Sequence, residues 1–156
     1  MALWPASVVT AEMLMGSQGP SPQAVDLKPS CSLLELGAGL ALPSIVAAKF
    51  NGLRCVVSSD YPDKFQLENI EHNAALNLGC ADAGAGGSVA YHVAGHLWGS
   101  DVTGLKSLNG GGGFDWVVLS DLVYKSALHT ELLQSASDAL HPDGTCIVRY
   151  LAPPHA

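Results

Sequence analysis

The stretch Cys31-Ser32-Leu33-Leu34-Glu35-Leu36-Gly37-Ala38-Gly39-Leu40-Ala41-Leu42-Pro43 decides the fold of this chain. Its first six residues form a short, mostly apolar run. That is the pattern of a strand buried on both faces of a parallel sheet. A glycine-rich turn follows. Pro43 then opens a helix to about Phe50, because proline lacks only an N–H that a first helical turn leaves unpaired. Asn51-Gly52 stops it. A strand, Gly-x-Gly and a helix start make up the layout of a mononucleotide-binding turn, where a ligand lies against bare backbone.

The same alternation extends outward. Upstream, Leu3 to Met15 reads as a leading helix, with Pro5 in its first turn and Gly16 as its stop. Residues 17–30 form a polar, proline-containing connector. Downstream, 53–59 reads as a strand and 63–78 as a helix, with Asp63 in its first turn and Gly79 at its end. Residues 81–87 form a small-residue loop, 88–93 a strand, and 98–113 a loop whose four consecutive glycines, Gly110 to Gly113, suggest flexibility. Phe114 to Leu119 is a buried strand and 127–140 an amphipathic helix, stopped by His141-Pro142-Asp143-Gly144. A fifth strand covers 145–151. Helices alternating with apolar strands imply an α/β fold, a doubly wound, mostly parallel sheet with helices on both faces. The chain reads as one domain over 1–156: leading helix 1–16, connector 17–30, α/β core 31–151.

Composition narrows the class. The chain has 156 residues, 48% hydrophobic and only 13% charged, which excludes disorder and coiled coil. A formal charge of −7 speaks against nucleic acid or an anionic membrane as partner and suits a basic one. No apolar run is long enough to span a bilayer, and no basic stretch precedes the apolar N-terminus. Cys31, Cys55, Cys80 and Cys146 form no C-x-x-C pair and read as reduced core residues, pointing to the cytoplasm or nucleus. The six histidines show no metal-ligand spacing, so no metal is expected.

Two carboxylates specify the ligand. Asp60 ends the second strand 21 positions after Gly39, where a carboxylate accepts hydrogen bonds from ribose hydroxyls. Glu35 lies two residues before Gly37, close enough to repel a pyrophosphate at the helix mouth. Leu42 replaces the third glycine of the dinucleotide fingerprint. A ribose-containing, phosphate-free, positively charged ligand fits better, and S-adenosyl-L-methionine is such a compound.

The motifs Glu-Leu-Gly-Ala-Gly-Leu-Ala-Leu-Pro (35–43), Ser-Asp-Tyr-Pro-Asp (59–63), Glu-Asn-Ile-Glu-His-Asn (68–73), Leu-Trp-Gly (97–99) and Leu-Ser-Asp-Leu-Val-Tyr (119–124) carry a family resemblance. Together with Leu-Trp-Pro-Ala-Ser (3–7), they resemble the seven-strand lysine methyltransferases. Within that group the chain is most similar to the branch known as nicotinamide N-methyltransferase-like or elongation factor 1-alpha methyltransferases. The resemblance spans nearly the whole chain and implies a Rossmann-like fold of the class I methyltransferase type.

By that resemblance, Gly37, Ala38 and Gly39 hold the methionine part of the cofactor and Asp60 takes the ribose. Trp98 contacts the adenine, Ser120 touches the cofactor through its backbone, and Trp4 closes the pocket. Asp121 and Tyr124 line the mouth where the acceptor amine arrives. Plainer readings stand beside these: packing for Trp98, a sheet staple for Trp4, a helix start for Tyr124 and a turn cap for Asp121. The implied activity is methylation of a lysine or N-terminal amine on a protein such as a translation elongation factor. Small-molecule N-methylation of a nicotinamide-like acceptor is the alternative, followed by a cofactor-binding pseudoenzyme or interaction module; a nucleotide-dependent oxidoreductase carries little weight. The family's sheet has two strands and a helix beyond residue 151, so this reading expects a sheet lacking its last two strands. It also expects the 145–151 edge to be open to self-association.

Overall fold

The computed structural model describes residues 3–16, 19–79, 89–123 and 126–151. Its elements are α1 (Pro5–Leu14), β1 (Ser32–Leu36), α2 (Leu42–Asn51), β2 (Cys55–Asp60), α3 (Lys64–Leu78), β3 (Ala90–Gly95), α4 (Thr103–Leu108), β4 (Phe114–Ser120), α5 (His129–Ala139) and β5 (Leu140–Arg149). The five strands form one sheet in the order β3-β2-β1-β4-β5, and every pairing is parallel. Parallel neighbours require crossovers, and the helices supply them on both faces.

Strand alternation divides the core. Leu34 and Leu36 of β1 join Val57, Val117 and Leu119 on one face, packed against Leu105 of α4 and Leu132 and Ala136 of α5. Leu33, Val56 and Val118 point the other way, toward Leu14 of α1 and Ala47 and Ala48 of α2. All five residues of β1 are buried, as befits the central strand. Each fully buried leucine there contributes about 2 kcal/mol of hydrophobic stabilisation. Glu35, alone among the side chains of β1, is ionisable.

Four local expectations change. The loop expected over 98–113 contains α4, whose start is held by Asp101 Oδ1 accepting from Thr103 N (3.1 Å) and Oγ1 (2.8 Å). Leu105 buries that turn against the sheet. The Gly110–Gly113 run is tied rather than loose: Asn109 Nδ2 donates to the carbonyls of Gly112 (3.3 Å) and Gly113 (2.9 Å) and to Ser32 Oγ (3.2 Å). Finally, β5 begins at Leu140 rather than Thr145. Phe114 pairs with Leu140 and Trp116 with Thr145, so five steps along β5 answer two along β4. The three extra residues fall within the His-Pro-Asp-Gly segment expected as a helix stop, which makes an irregularity inside the strand. The third strand lies at 90–95, two residues later than expected, and the loop expected at 81–87 falls outside the described residues.

Candidate functional site

From β1 the sheet runs outward through β2 and β3 on one side and through β4 and β5 on the other. At such a reversal the loops beyond the strand ends diverge and leave a crevice. Gly37 and Gly39 stand at its base, with φ of +62° and +57°. A Cβ on Gly37 would lie 2.6 Å from Leu122 Cδ2 and 3.3 Å from Trp98 Cζ2, so Gly37 is required by both conformation and contact. A Cβ on Gly39 would meet nothing within 4 Å: the backbone there faces open space. Ala38 differs from its neighbours. Its side chain is buried beside Ile45 and Ile70, its N–H donates to Ser59 O (2.9 Å), and its carbonyl accepts from Ala41 N (2.7 Å). Ala38 anchors the turn from below.

Asp60 stands across from Gly39. Its Oδ2 accepts from Gly39 N at 2.7 Å and from Gln66 Nε2 at 3.2 Å, and its Oδ1 accepts from Tyr61 N at 2.7 Å. Gln66 Nε2 also donates to Gly39 O at 3.0 Å. Gln66 was missed in the sequence analysis, which placed Asp63 in the first turn of this helix; Asp63-x-x-Gln66 has the spacing of a helix-capping box. Asp63 does cap α3, accepting from Gln66 N at 3.0 Å, but the glutamine side chain goes to the site.

Glu35 is 1% exposed. Burial pushes its carboxyl up to about 7, against the lowering effect of hydrogen bonding from Ser44, with the nearby Asp60 charge raising it slightly further. Ser44 N donates to Glu35 Oε2 at 3.0 Å. Ser44, Ser58 and Tyr91 join hydroxyls beside it, and burial raises the Tyr91 phenol to about 12. Glu35 therefore does not face the crevice; it occupies the start of α2. Pro43 offers no N–H there, Ser44 is engaged by Glu35, and Ile45 N returns to Ala41 O at 2.9 Å. The helix end that would attract a phosphate is largely taken. This gives the acidic residue a second effect, occupation, beside the repulsion expected from the sequence.

The β4 side closes the crevice. Ser120 is buried, and its Oγ lies 3.0 Å from Thr10 Oγ1, which pins α1 over the strand end. Asp121 has φ +60°, the left-handed region, and its N–H donates to Arg149 O at 2.7 Å. Its carboxylate makes no hydrogen bond to any described residue. Trp98 is half-buried in the turn after β3, beside Gly37 and Leu122. A buried pair holds that turn. His96 Nε2 is 2.9 Å from Ser135 Oγ, which also accepts from Gly99 N at 2.8 Å. Burial lowers the His96 pKa, against the raising effect of the Asp101 charge. Neither His96 nor Ser135 carries a motif, and both were missed.

One expected residue, Trp4, stands apart from this cluster. Trp4 caps the start of α1 and is 62% exposed. It lies six residues before Thr10, about 9 Å along the helix from the pinned point. Tyr124 lies outside the described residues.

A family model described as lysine methyltransferase matches residues 1–153. The chain belongs to the lysine methyltransferase family. Protein N-terminal and lysine N-methyltransferases named EFM7 are 32% identical in Yarrowia lipolytica, 34% in Schizosaccharomyces pombe and 39% in Eremothecium gossypii, each over 94% of this chain. The match covers 54%, 52% and 52% of those proteins, so this family member spans about half the length of the curated relatives it matches. Among solved structures, mitomycin 7-O-methyltransferase MmcR aligns with a TM-score of 0.63 at 13% identity, over 92% of this chain and 35% of its own. PKMT2 from Rickettsia typhi in complex with AdoHcy aligns at 0.52 with 19% identity, over 92% and 24%. At such identities the likeness concerns the fold, which is Rossmann-like and of the class I methyltransferase type.

Proposed function

We propose that this chain, as one domain over 1–156, binds S-adenosyl-L-methionine and methylates an amine of a protein: a lysine or an N-terminus, with a translation elongation factor as a fitting substrate. The observation that carries this is the pairing of open backbone at Gly39 with the Asp60 carboxylate, above a helix start already engaged by Glu35. Such a crevice accepts a ribose and a cationic tail and disfavours a diphosphate. Gly37 and Gly39 would take the methionine part, Asp60 the ribose, Trp98 the adenine, and the Ser120 backbone the rest. Glu35 and Ala38 support the turn from beneath. Trp4 would close over the pocket. When bound, the cofactor supplies a methyl group on a sulfonium centre.

The chain's own residues then govern the acceptor. A lysine amine, with a pKa of about 10.4, must be neutral to attack. Desolvation against Trp98 and Tyr124 favours the neutral form, and Asp121, left without another partner among the described residues, would orient the amine. An acidic chain of net charge −7 suits a basic protein segment. Among the described residues no helix is long and apolar enough to cross a membrane. The lack of a C-x-x-C pair among the cysteines supports a reducing compartment, the cytoplasm. Val148 and Tyr150, 50% and 44% exposed near the outer edge of the sheet, support self-association of two copies through β5. A monomer in size-exclusion chromatography at micromolar concentration would remove that part.

Incubating the protein and methyl-labelled cofactor with a cell lysate tests the activity. A labelled protein band is expected. Label confined to small molecules would favour the nicotinamide-like alternative. Cofactor binding without any transfer would leave a binding module.

A further inference from the structure

We propose that Gln66 is a positioning residue for the nucleoside, holding Asp60 and the glycine turn in one arrangement before the ligand arrives. This rests on the reading of the crevice as a nucleoside site.

The argument starts from a helix cap that is only half made. In a capping box, the glutamine at the third helical position folds back onto the backbone of its own cap. Here Asp63 performs its half, accepting from Gln66 N. The Gln66 side chain departs and uses both hydrogens of Nε2 elsewhere: one on Gly39 O at 3.0 Å, one on Asp60 Oδ2 at 3.2 Å. Gly39 N completes the ring by donating to the same Oδ2 at 2.7 Å. The N–H and the carbonyl of Gly39 are thereby both fixed, at the glycine of this turn where an added Cβ would meet nothing within 4 Å.

The ring also sets what Asp60 can offer. A carboxylate has about four acceptor positions. Gly39 N and Gln66 Nε2 fill those on Oδ2, and Tyr61 N takes one on Oδ1. The remaining position on Oδ1 is presented in a fixed orientation to a ribose hydroxyl. Without the Gln66 amide, the carboxylate can rotate, and the ligand must order it on binding. A carboxylate in place of the amide would face two acceptor oxygens and repel both.

The test is calorimetric titration with S-adenosylhomocysteine and with its 2′-deoxy analogue, using wild type, Q66L and Q66E. In Q66L the dissociation constant for the ribose form is expected to rise about tenfold. The preference for the ribose form over the deoxy form should shrink, which a merely structural role would not produce. In Q66E the rise should reach about a hundredfold at pH 8. Relative to wild type at the same pH, that loss should narrow by pH 6 as the introduced carboxyl takes up a proton. Unchanged affinity in Q66L, or an unchanged ribose preference, overturns the proposal. So does a collapse of the melting temperature in both variants, which would make Gln66 a residue of the fold. Failure of wild type to bind S-adenosylhomocysteine at all overturns the nucleoside reading itself.

Discussion

The two flanks of the crevice are built differently. On the β2 flank, Asp60, Gly39 and Gln66 close a ring of hydrogen bonds and Glu35 secures the start of α2 from below. On the β4 flank, Asp121 holds a left-handed conformation with its carboxylate unpaired among the described residues, and β5 beside it is only half-buried. One flank is ordered by its own hydrogen bonds; on the other, a left-handed residue carries a carboxylate with no partner among the described residues. Pre-ordered groups suit a constant ligand, and open ones suit a partner that brings its own groups. The contrast agrees with the function proposed above, in which the β2 flank serves the cofactor and the β4 flank the acceptor.

Filling the base between the flanks should have the largest effect. Gly37→Val puts a branched side chain into a left-handed residue and against Leu122 and Trp98. It is expected to destabilise the fold by about 3 kcal/mol, read from urea unfolding, and to abolish S-adenosylhomocysteine binding. A variant that still binds would place the ligand away from Gly37.

The next effect lies beneath the β2 flank. Glu35 has a carboxyl raised from 4.5 to about 7, so between these values the folded chain holds more protons than the unfolded one. The stability this group contributes is complete below pH 4.5 and is lost as pH rises through 7, by about 3 kcal/mol in all. His96, whose pKa burial lowers, acts in the opposite sense as pH falls. Comparing Glu35→Gln with wild type isolates the first effect. The variant should gain on wild type from pH 5 to about pH 7 in urea unfolding and level off above that. A difference independent of pH would mean that Glu35 stays charged throughout.

These two residues also mark how far the sequence could be read. β1, β2 and β4 were legible because burial on both faces leaves continuous apolar runs. The glycine turn and Asp60 were legible because their spacing follows from a crossover of fixed size. Gln66 was hidden by its own context: as the last residue of Asp-x-x-Gln it has a sufficient local explanation. His96 and Ser135 meet across 39 positions, and nothing in either segment announces the other. α4 was lost among polar residues because six residues give no periodicity to detect.

Asp60→Ala removes the charged end of the β2 flank. It should weaken S-adenosylhomocysteine binding by about 2 kcal/mol, through loss of charge-assisted hydrogen bonds. Equal affinity in variant and wild type would separate the ribose from this carboxylate.

The smallest effect on binding and stability is expected on the β4 flank, where the contrast is sharpest. Asp121→Asn keeps a residue tolerant of the left-handed conformation and removes only the charge. With no described partner for the carboxylate, stability should change by less than about 0.5 kcal/mol. Cofactor affinity should stay within about twofold, because the ring around Asp60 is untouched. In the proposed function, methyl transfer to the protein acceptor should fall, since an amine arriving there loses the charge of Asp121. Loss of cofactor affinity together with transfer would show that the flanks are not separate. Undiminished transfer would leave Asp121 as a turn residue and move the acceptor mouth elsewhere along the strand ends.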